Sequence, residues 1–484
     1  MTMHYSNLKR EAAYINGAWV TADDGAVMAV INPADGKLIA NVPDLGVASA
    51  RAAIDAANVA FASWKHTTAS ARAALLRRWH GLIVEHVDEL ARLLTLEQGK
   101  PLREAKGEVL SAASFFEWYA EEAKRTYGEN IPSNSPRTRL LTIKQPIGVV
   151  AAITPWNFPI SMIARKAAPA IAAGCTIVIK PAEDTPLCAL ALAALAEEAG
   201  IPAGVINVVT TARPVDVGRE LCTHPVVRKV SFTGSTPVGK VILGLAAQTV
   251  KKASMELGGN APFIVFDDAD LESAVAGALV SKYRNAGQTC ICTNRIYVQS
   301  GLYERFVARY KQEVEKLRLG AGSDDSTDIG PLINDSAVAK IDGLVRQALE
   351  QGAVLNSGGH PALQGPRFYQ PTLLTDVDES MEIAHAELFG PVSTVFRFDS
   401  EEEVIARANA TPYGLAAYVY SRDIGRVWRV SEGLEFGMVG VNEGMISNEL
   451  TPFGGVKESG LGREGSRHGI DDYLELKYIC MGGI

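Results

Sequence analysis

Gly148-Val149-Val150-Ala151-Ala152-Ile153-Thr154-Pro155-Trp156-Asn157-Phe158-Pro159 is the stretch on which the fold is decided. Its first six residues carry no charge and read as a strand. The two prolines fix a turn, and residues 160–172 read as a helix. The alternation then repeats. Strands are predicted at 175–180, 205–210, 228–233 and 251–257, and helices at 186–199, up to 222, and at 237–249. Near-continuous apolar strands separated by helices predict a parallel sheet covered on both faces, a Rossmann-like region in an α/β protein.

Working outward, residues 47–125 are helical by pattern. Ala53, Ile54, Ala57, Ala60, Phe61 and Trp64 mark one apolar face; a second run covers 75–96 and stops near Gly99 and Pro101; a third follows from 102 to 125. Residues 137–147 read as extended. After Gly258 a second α/β region runs to about 460, with strands predicted at 263–266, 295–298 and 392–398 and a helix at 271–283. The Gly/Pro clusters at 357–371 and 452–465 read as loops, and 473–480 as extended. A chain of 484 residues predicts two or three domains.

Composition narrows the partners. The chain is 47% hydrophobic with a net charge of −8 and no block of basic residues, which points to a small molecule and away from nucleic acid. The N-terminal residues contain no apolar signal core, and the longest apolar stretch between charges, 167–179, falls short of the ~20 residues of a spanning helix. A soluble cytoplasmic protein without membrane attachment is expected. Six cysteines in this length make no disulfide framework, and none has zinc-ligand spacing with histidine, so no metal is expected.

Five segments carry candidate chemistry. Asn285-Ala286-Gly287-Gln288-Thr289-Cys290 puts a thiol on a turn between a helix and a strand, where a nucleophile stays reachable. Met255-Glu256-Leu257-Gly258-Gly259-Asn260 ends the last Rossmann strand with a carboxylate at the sheet's carboxyl edge. Thr154-Pro155-Trp156-Asn157 offers an amide donor suited to a developing oxyanion. Thr233-Gly234-Ser235-Thr236-Pro237-Val238-Gly239 feeds a helix N-terminus, a natural pyrophosphate cradle, though it is not the usual G-x-G-x-x-G. Lys180-Pro181-Ala182-Glu183 ends the second strand, where side chains reach the adenosine ribose. Taken singly, each has a bland reading: a structural cysteine, a surface carboxylate, a turn asparagine.

In this order the segments resemble the aldehyde dehydrogenase superfamily, together with Glu387-Leu388-Phe389-Gly390-Pro391 and Pro452-Phe453-Gly454-Gly455. Tyr283-Arg284-Asn285-Ala286-Gly287-Gln288-Thr289-Cys290-Ile291-Cys292 and Asn442-Glu443-Gly444-Met445-Ile446-Ser447 are most similar to the succinate-semialdehyde dehydrogenases of NAD type. The resemblance implies that fold: a Rossmann-type cofactor domain (1–127 and 148–257), an α/β catalytic domain (258–460) and oligomerisation strands (128–147 and 470–484), assembling as a homodimer or homotetramer. It implies Cys290 as nucleophile, passing through a thiohemiacetal and a thioester. Asn157 holds the oxyanion, and Glu256 activates water. Thr154, Trp156, Asn157, Lys180, Glu183, Gly234, Ser235, Gly239, Leu257, Glu387 and Phe389 are the implied cofactor contacts.

Arg165, Arg284 and Ser447 match the positions that bind the substrate's distal carboxylate, a task suited to planar guanidinium groups. Glutarate semialdehyde or another small aldehyde is the alternative substrate. Glu183 would accept from ribose hydroxyls and repel the 2′-phosphate of NADP, so NAD is the preferred cofactor, with NADP second. Relatives that prefer NADP often carry a small residue there. Cys290 and Cys292 form the Cys-x-Cys arrangement that closes into a regulatory disulfide in some members of the family.

Overall fold

The computed structural model describes residues 8–483. Residues 1–7 and 484, which the sequence reading assigns to the ends of the cofactor-binding unit and of the second oligomerisation segment, lie outside the described residues.

Two large sheets carry the architecture. The first has eight strands in the order Gly460–Leu461, Lys252–Glu256, Val227–Thr233, Val149–Ile153, Thr176–Lys180, Ile206–Val208, Ala13–Ile15, Ala18–Val20. Its five inner strands are parallel, as predicted, while each of the three outer ones is antiparallel to its inward neighbour, so the sheet is mixed. The second has seven strands, from Val354–Ser357 through Thr372–Thr375, Val392–Phe398, Thr293–Gln299, Ala261–Val265 and Ala416–Tyr420 to Met438–Val441. All but the first of these are parallel to their neighbours. A third sheet joins Leu474–Gly482 to Thr138–Pro146 and Asn130–Ile131.

Helices cover both faces of the first sheet. Ala69–Glu85, Leu102–Glu122, Pro159–Ala173 and Leu187–Glu198 pack on one side, and Val47–Trp64, Pro214–Thr223 and Thr236–Ala247 on the other. Leu187–Glu198 is apolar almost all round because it lies between the sheet and other helices. Its first two N–H groups, of Leu187 and Cys188, donate to the buried carboxylate of Glu97 (2.8 and 2.9 Å). No helix of the described residues is long and apolar enough to cross a membrane.

Two sequence expectations need correction, and one region escapes the sequence reading. The run at 75–96 is two helices, Ala69–Glu85 and Val87–Gln98, that meet at His86 (φ −98°, ψ 21°). The His86 N–H still donates to Leu82 and its carbonyl still accepts from Leu90, so the apolar period passes through the joint unmarked. The N-terminal residues contain four strands that no apolar period announces, two of them a hairpin of three-residue arms. The 452–465 loop contributes Gly460–Leu461 to the first sheet, against Met255 and Glu256, so the chain returns to that sheet after the second is complete.

Candidate active site

The order of the first sheet reverses at Val149–Ile153, which has Thr176–Lys180 on one side and Val227–Thr233 on the other. In open α/β sheets ligands bind beyond the carboxyl ends of the strands at such a point. Three segments leave the sheet there: the Thr154–Phe158 turn, Gly234-Ser235 before the helix Thr236–Ala247, and Glu256. The second sheet contributes Cys290, ahead of the strand Thr293–Gln299, and Glu387 to Phe389, ahead of Val392–Phe398. Between them lies a cavity of about 450 Å³ lined by Trp156, Asn157, Gly234, Ser235, Glu256, Leu257, Cys290, Glu387 and Phe389. The three predicted catalytic residues and six of the predicted cofactor contacts other than Asn157 thus line one cavity. Thr154, Lys180, Glu183, Gly239, Arg165, Arg284 and Ser447 do not line it.

Glu256 is buried, not the surface carboxylate of the bland reading, and neither of its oxygens has a hydrogen-bond partner among the described residues. Burial pushes its carboxyl well above the usual range, and the negative charge of Glu464 adds to this; Lys166, Arg165 and Arg463 pull the other way. A desolvated carboxylate is a stronger base than an exposed one. The Cys290 thiol is pushed up to about 12 by burial, against the pull of Arg165, so it rests protonated at neutral pH. Asn157 donates from Nδ2 to the Gln288 carbonyl (3.0 Å). An amide nitrogen has two N–H groups, which leaves one for an oxyanion.

Behind Cys290 lies a buried cationic cluster. The helix Pro159–Ala173 is buried along its length and carries Arg165 and Lys166 in its middle. Lys166 Nζ donates to Thr233 Oγ1 (2.7 Å) and to Glu464 Oε1. Arg165 donates from Nη2 to Ser447 Oγ (2.6 Å), lies 3.9 Å from Glu464, and stacks over Phe453 with 4.2 Å to the ring centroid. Its Nε and Nη1 are buried without a hydrogen-bond partner among the described residues. Arg284, half-buried at the end of the helix Leu271–Tyr283, lies over the Phe158 ring and, like Arg165, acts on the Cys290 thiol. The two predicted arginines therefore both act on Cys290, and Ser447 is bonded to one of them.

The cofactor half fits a dinucleotide. Ser235 lines the cavity and precedes the helix Thr236–Ala247 without capping it, which leaves that helix N-terminus without a side-chain acceptor. A Cβ on Gly239 would meet the Leu257 side chain at 2.4 Å, so glycine lets the helix close on the strand end. Glu387 accepts from the Gly259 N–H (2.9 Å) through one oxygen, and burial pushes its carboxyl up to about 7. Phe389, held at φ 57°, meets Trp156 edge-on with centroids 5.6 Å apart. At the far end Lys180 Nζ donates to Glu183 Oε1 (2.6 Å), and Glu183 and Asp184 line a smaller cavity that shares Ile333 with the main one.

Cys292 is buried and outside the main cavity, and its thiol is free. Its Sγ donates to the Lys282 carbonyl (3.4 Å), and its thiol is the group that the fully buried Lys282 amine faces. Sequence reasoning missed Lys166 and Glu464, and named Thr233 only as part of the cradle segment. The signal for the first was in view: two adjacent cations in a helix otherwise free of charge. Among the described residues no group of three or more His, Cys, Asp or Glu is arranged to hold a metal ion.

Comparison with known proteins accords with this geometry. The model of the "Aldehyde dehydrogenase family" matches residues 19–479. The chain is 59% identical to the 3-sulfolactaldehyde dehydrogenase of Pseudomonas putida, covering 99% of this chain and 98% of that one. It is 58% identical to the succinate-semialdehyde dehydrogenase [NADP(+)] GabD of Escherichia coli and 57% identical to the glutarate-semialdehyde dehydrogenase of Pseudomonas aeruginosa, each over the whole of both chains. The crystal structure of the succinate-semialdehyde dehydrogenase from Burkholderia pseudomallei superposes with a TM-score of 0.98 at 55% identity, covering all of both chains.

Proposed function

The chain belongs to the aldehyde dehydrogenase family, and we propose that it oxidises a short aldehyde bearing a distal carboxylate, succinate semialdehyde in the first place, to the acid with NAD in preference to NADP. The observation that carries the substrate is Arg165: a buried guanidinium, beside the candidate nucleophile, with two nitrogens that lack an acceptor and a third on Ser447. A buried unpaired donor costs roughly 1–3 kcal/mol, which a bound carboxylate would recover. Arg284 supplies a second positive charge. The same set fits glutarate semialdehyde, one methylene longer, and a sulfonate with the same charge, so charge does not separate the three: chain length distinguishes glutarate semialdehyde, and the tetrahedral head group and extra hydroxyl distinguish 3-sulfolactaldehyde.

The Cys290 sulfur, once deprotonated, attacks the aldehyde carbon. The resulting alkoxide is received by the free N–H of Asn157 and by the Cys290 backbone N–H. NAD, when bound, supplies the hydride acceptor. Oxidation of the thiohemiacetal leaves a thioester on Cys290, and Glu256 takes a proton from the water that hydrolyses it. Lys166 and Glu464 hold Glu256 in a balance of opposite charges. Thr154, Trp156, Gly234, Ser235, Gly239 and Leu257 would hold the pyrophosphate and nicotinamide ends, Glu387 and Phe389 the nicotinamide riboside, and Lys180 and Glu183 the adenosine ribose. The outer edge of the strand Leu474–Gly482, with Leu476, Tyr478 and Met481 exposed, would join copies into a dimer or tetramer. Cys292 would close on Cys290 under oxidation, which requires its thiol to turn away from Lys282; peroxide inactivation reversed by dithiothreitol and lost in Cys292→Ala would support this.

Steady-state NADH production with succinate semialdehyde, glutarate semialdehyde, 3-sulfolactaldehyde and an uncharged aldehyde tests the reading. The expected order of kcat/KM puts succinate semialdehyde first and the uncharged aldehyde last. Turnover retained in Cys290→Ser, or equal kcat/KM for charged and uncharged aldehydes, would remove its basis.

A further inference from the structure

The turn that delivers Cys290 is strained. Asn285 (φ 54°, ψ 36°), Ala286 (φ 56°, ψ 30°) and Gly287 (φ 74°) are three left-handed residues in succession. Asparagine and glycine tolerate that region; alanine does not, because its Cβ crowds the following carbonyl. Such a conformation persists only where its surroundings impose it. Glycine is required at 287, where a Cβ would meet the Gly390 carbonyl at 2.2 Å.

What imposes it comes from the other sheet's helices. Pro101 opens the helix Leu102–Glu122, and three charged residues around its start turn inward. Glu104 Oε2 accepts from the Asn285 N–H (2.8 Å). Lys100 Nζ donates to the Asn157 carbonyl (2.8 Å) and to Glu108. Glu108 Oε1 in turn accepts from the Ile160 and Ser161 N–H groups (3.1 and 3.2 Å), at the start of the helix that carries Arg165. The Asn285 side chain closes the loop, donating from Nδ2 to the Asn157 carbonyl (2.9 Å) and to the Gln288 carbonyl (3.2 Å), the acceptor of Asn157 Nδ2. The charges facing Glu104 are Lys100, Arg284 and Arg103.

We infer that Glu104 is a positioning residue: its hydrogen bond to the Asn285 N–H holds the left-handed turn, and so sets the Cys290 sulfur against the Asn157 amide. The inference rests on Cys290 as the nucleophile. It assigns Glu104 a bond to a backbone N–H as its task, not an ion pair with Arg284. Glutamine keeps an oxygen at the same reach, whereas aspartate keeps the charge but is one methylene too short. The ranking of those two variants therefore separates bond from charge.

The experiment compares Glu104→Gln, Glu104→Asp and Glu104→Ala, each alone and with Ala286→Gly, against Ala286→Gly as the reference for the doubles. It reads kcat, KM for NAD, and the rate at which iodoacetamide alkylates Cys290. Glu104→Asp and Glu104→Ala are expected to lose at least tenfold in kcat and in alkylation rate, with KM for NAD within about twofold of wild type. Glu104→Gln is expected to stay within about threefold. Ala286→Gly, which removes the strain, is expected to restore at least threefold in the Glu104→Ala background. If Glu104→Ala does not fold, the order of the other two still decides. Asp performing better than Gln, or no change in alkylation in any variant, would overturn the inference while leaving Cys290 in place. Turnover by Cys290→Ser would overturn the reading beneath it.

Discussion

The proposed preference for NAD rests on one carboxylate, and on that reading Glu183→Ser should reverse it. The Glu183 side chain is 38% exposed, and its partner Lys180 is 4% exposed, so the anion sits at the mouth and the cation inside. The 2′-phosphate of NADP carries about −1.5 to −2 charges. Unit charges about 4 Å apart interact by roughly 1 kcal/mol in water and roughly 4 kcal/mol at a protein surface of effective dielectric about 20. Partial exposure and the adjacent Lys180 place the repulsion at about 1–3 kcal/mol, or roughly 5- to 150-fold against NADP. The substitution removes that repulsion and frees Lys180 to meet the phosphate. It also removes the acceptor for the ribose hydroxyls of NAD, a charged hydrogen bond worth about 1.5–3 kcal/mol. The ratio of kcat/KM for NAD over NADP should therefore fall by at least about 50-fold.

The assay is initial-rate kinetics with both cofactors at saturating aldehyde, at low and high ionic strength. Salt should narrow the wild-type preference, because a group at the surface is screened within about 10 Å at 0.1 M. Glu183→Gln should admit NADP with a smaller loss of NAD. An NADP preference in the wild type, as in the name of the Escherichia coli relative, or a ratio that moves less than about fivefold in Glu183→Ser, would refute the reasoning.

Three more outcomes follow from the site. Glu387 is raised to about 7 by burial, with the Gly259 N–H and Lys340 pulling it down; it therefore takes up a proton as pH falls through about 7 and loses an acceptor, so KM for NAD should rise on the acid side and Glu387→Gln should flatten that profile. Ser447→Ala and Arg165→Leu each remove one arm of the anion site and should raise KM for succinate semialdehyde by about 10- to 100-fold, on about 1.5–3 kcal/mol for a charged hydrogen bond, while leaving KM for an uncharged aldehyde within about threefold; Arg165→Leu should also lower kcat for both aldehydes, because Arg165 acts on the Cys290 thiol. Lys166→Met leaves Glu464 buried without its ammonium partner and should cost about 3–5 kcal/mol in chemical denaturation, most of it recovered by adding Glu464→Leu; a double variant no more stable than the single would count against the pairing.

What the sequence made legible follows from where each signal is stored. The inner strands of the first sheet could be read because strands covered on both faces run near-continuously apolar, most plainly Val149–Ile153 and Thr176–Lys180. Glu256 could be read because it is the last residue of such a strand, and the carboxyl end is where a ligand lies. The N-terminal hairpin was readable from a different signal: Asn16-Gly17, both at positive φ, is the turn sequence that such hairpins favour, but arms of three residues gave the period nothing to register. Arg165 and Ser447 stand 282 residues apart, and only a resemblance joined them; local pattern contains no term for that contact. Lys100, Glu104 and Glu108 were passed over for the opposite reason. Charges on the amphipathic helix Leu102–Glu122 read as its solvated face, and Arg103, Lys106 and Gly107 between them are indeed exposed.

Those three charges point to why the site is built as it is. Asn157 leaves the first sheet and Cys290 approaches the second, and no strand of one sheet pairs with a strand of the other among the described residues. Backbone ladders, which fix distances within each sheet, cannot fix the distance between these two candidate catalytic groups. Side-chain hydrogen bonds do so instead: Lys100 to Asn157, Glu104 to Asn285, Asn285 to Asn157, Asn157 to Gln288, and across the cavity Glu387 to Gly259. Burying charges for this purpose is unfavourable unless every member finds a partner, which makes the network cooperative. Losses in Lys100→Met and Glu104→Ala should therefore be non-additive, the double variant being far less impaired than the product of the singles, because either substitution alone already releases the shared Asn285–Asn157 contact. Strict additivity in alkylation rate would mean that the two sheets are held in register by packing alone, and that these buried charges serve stability and not the placement of the nucleophile.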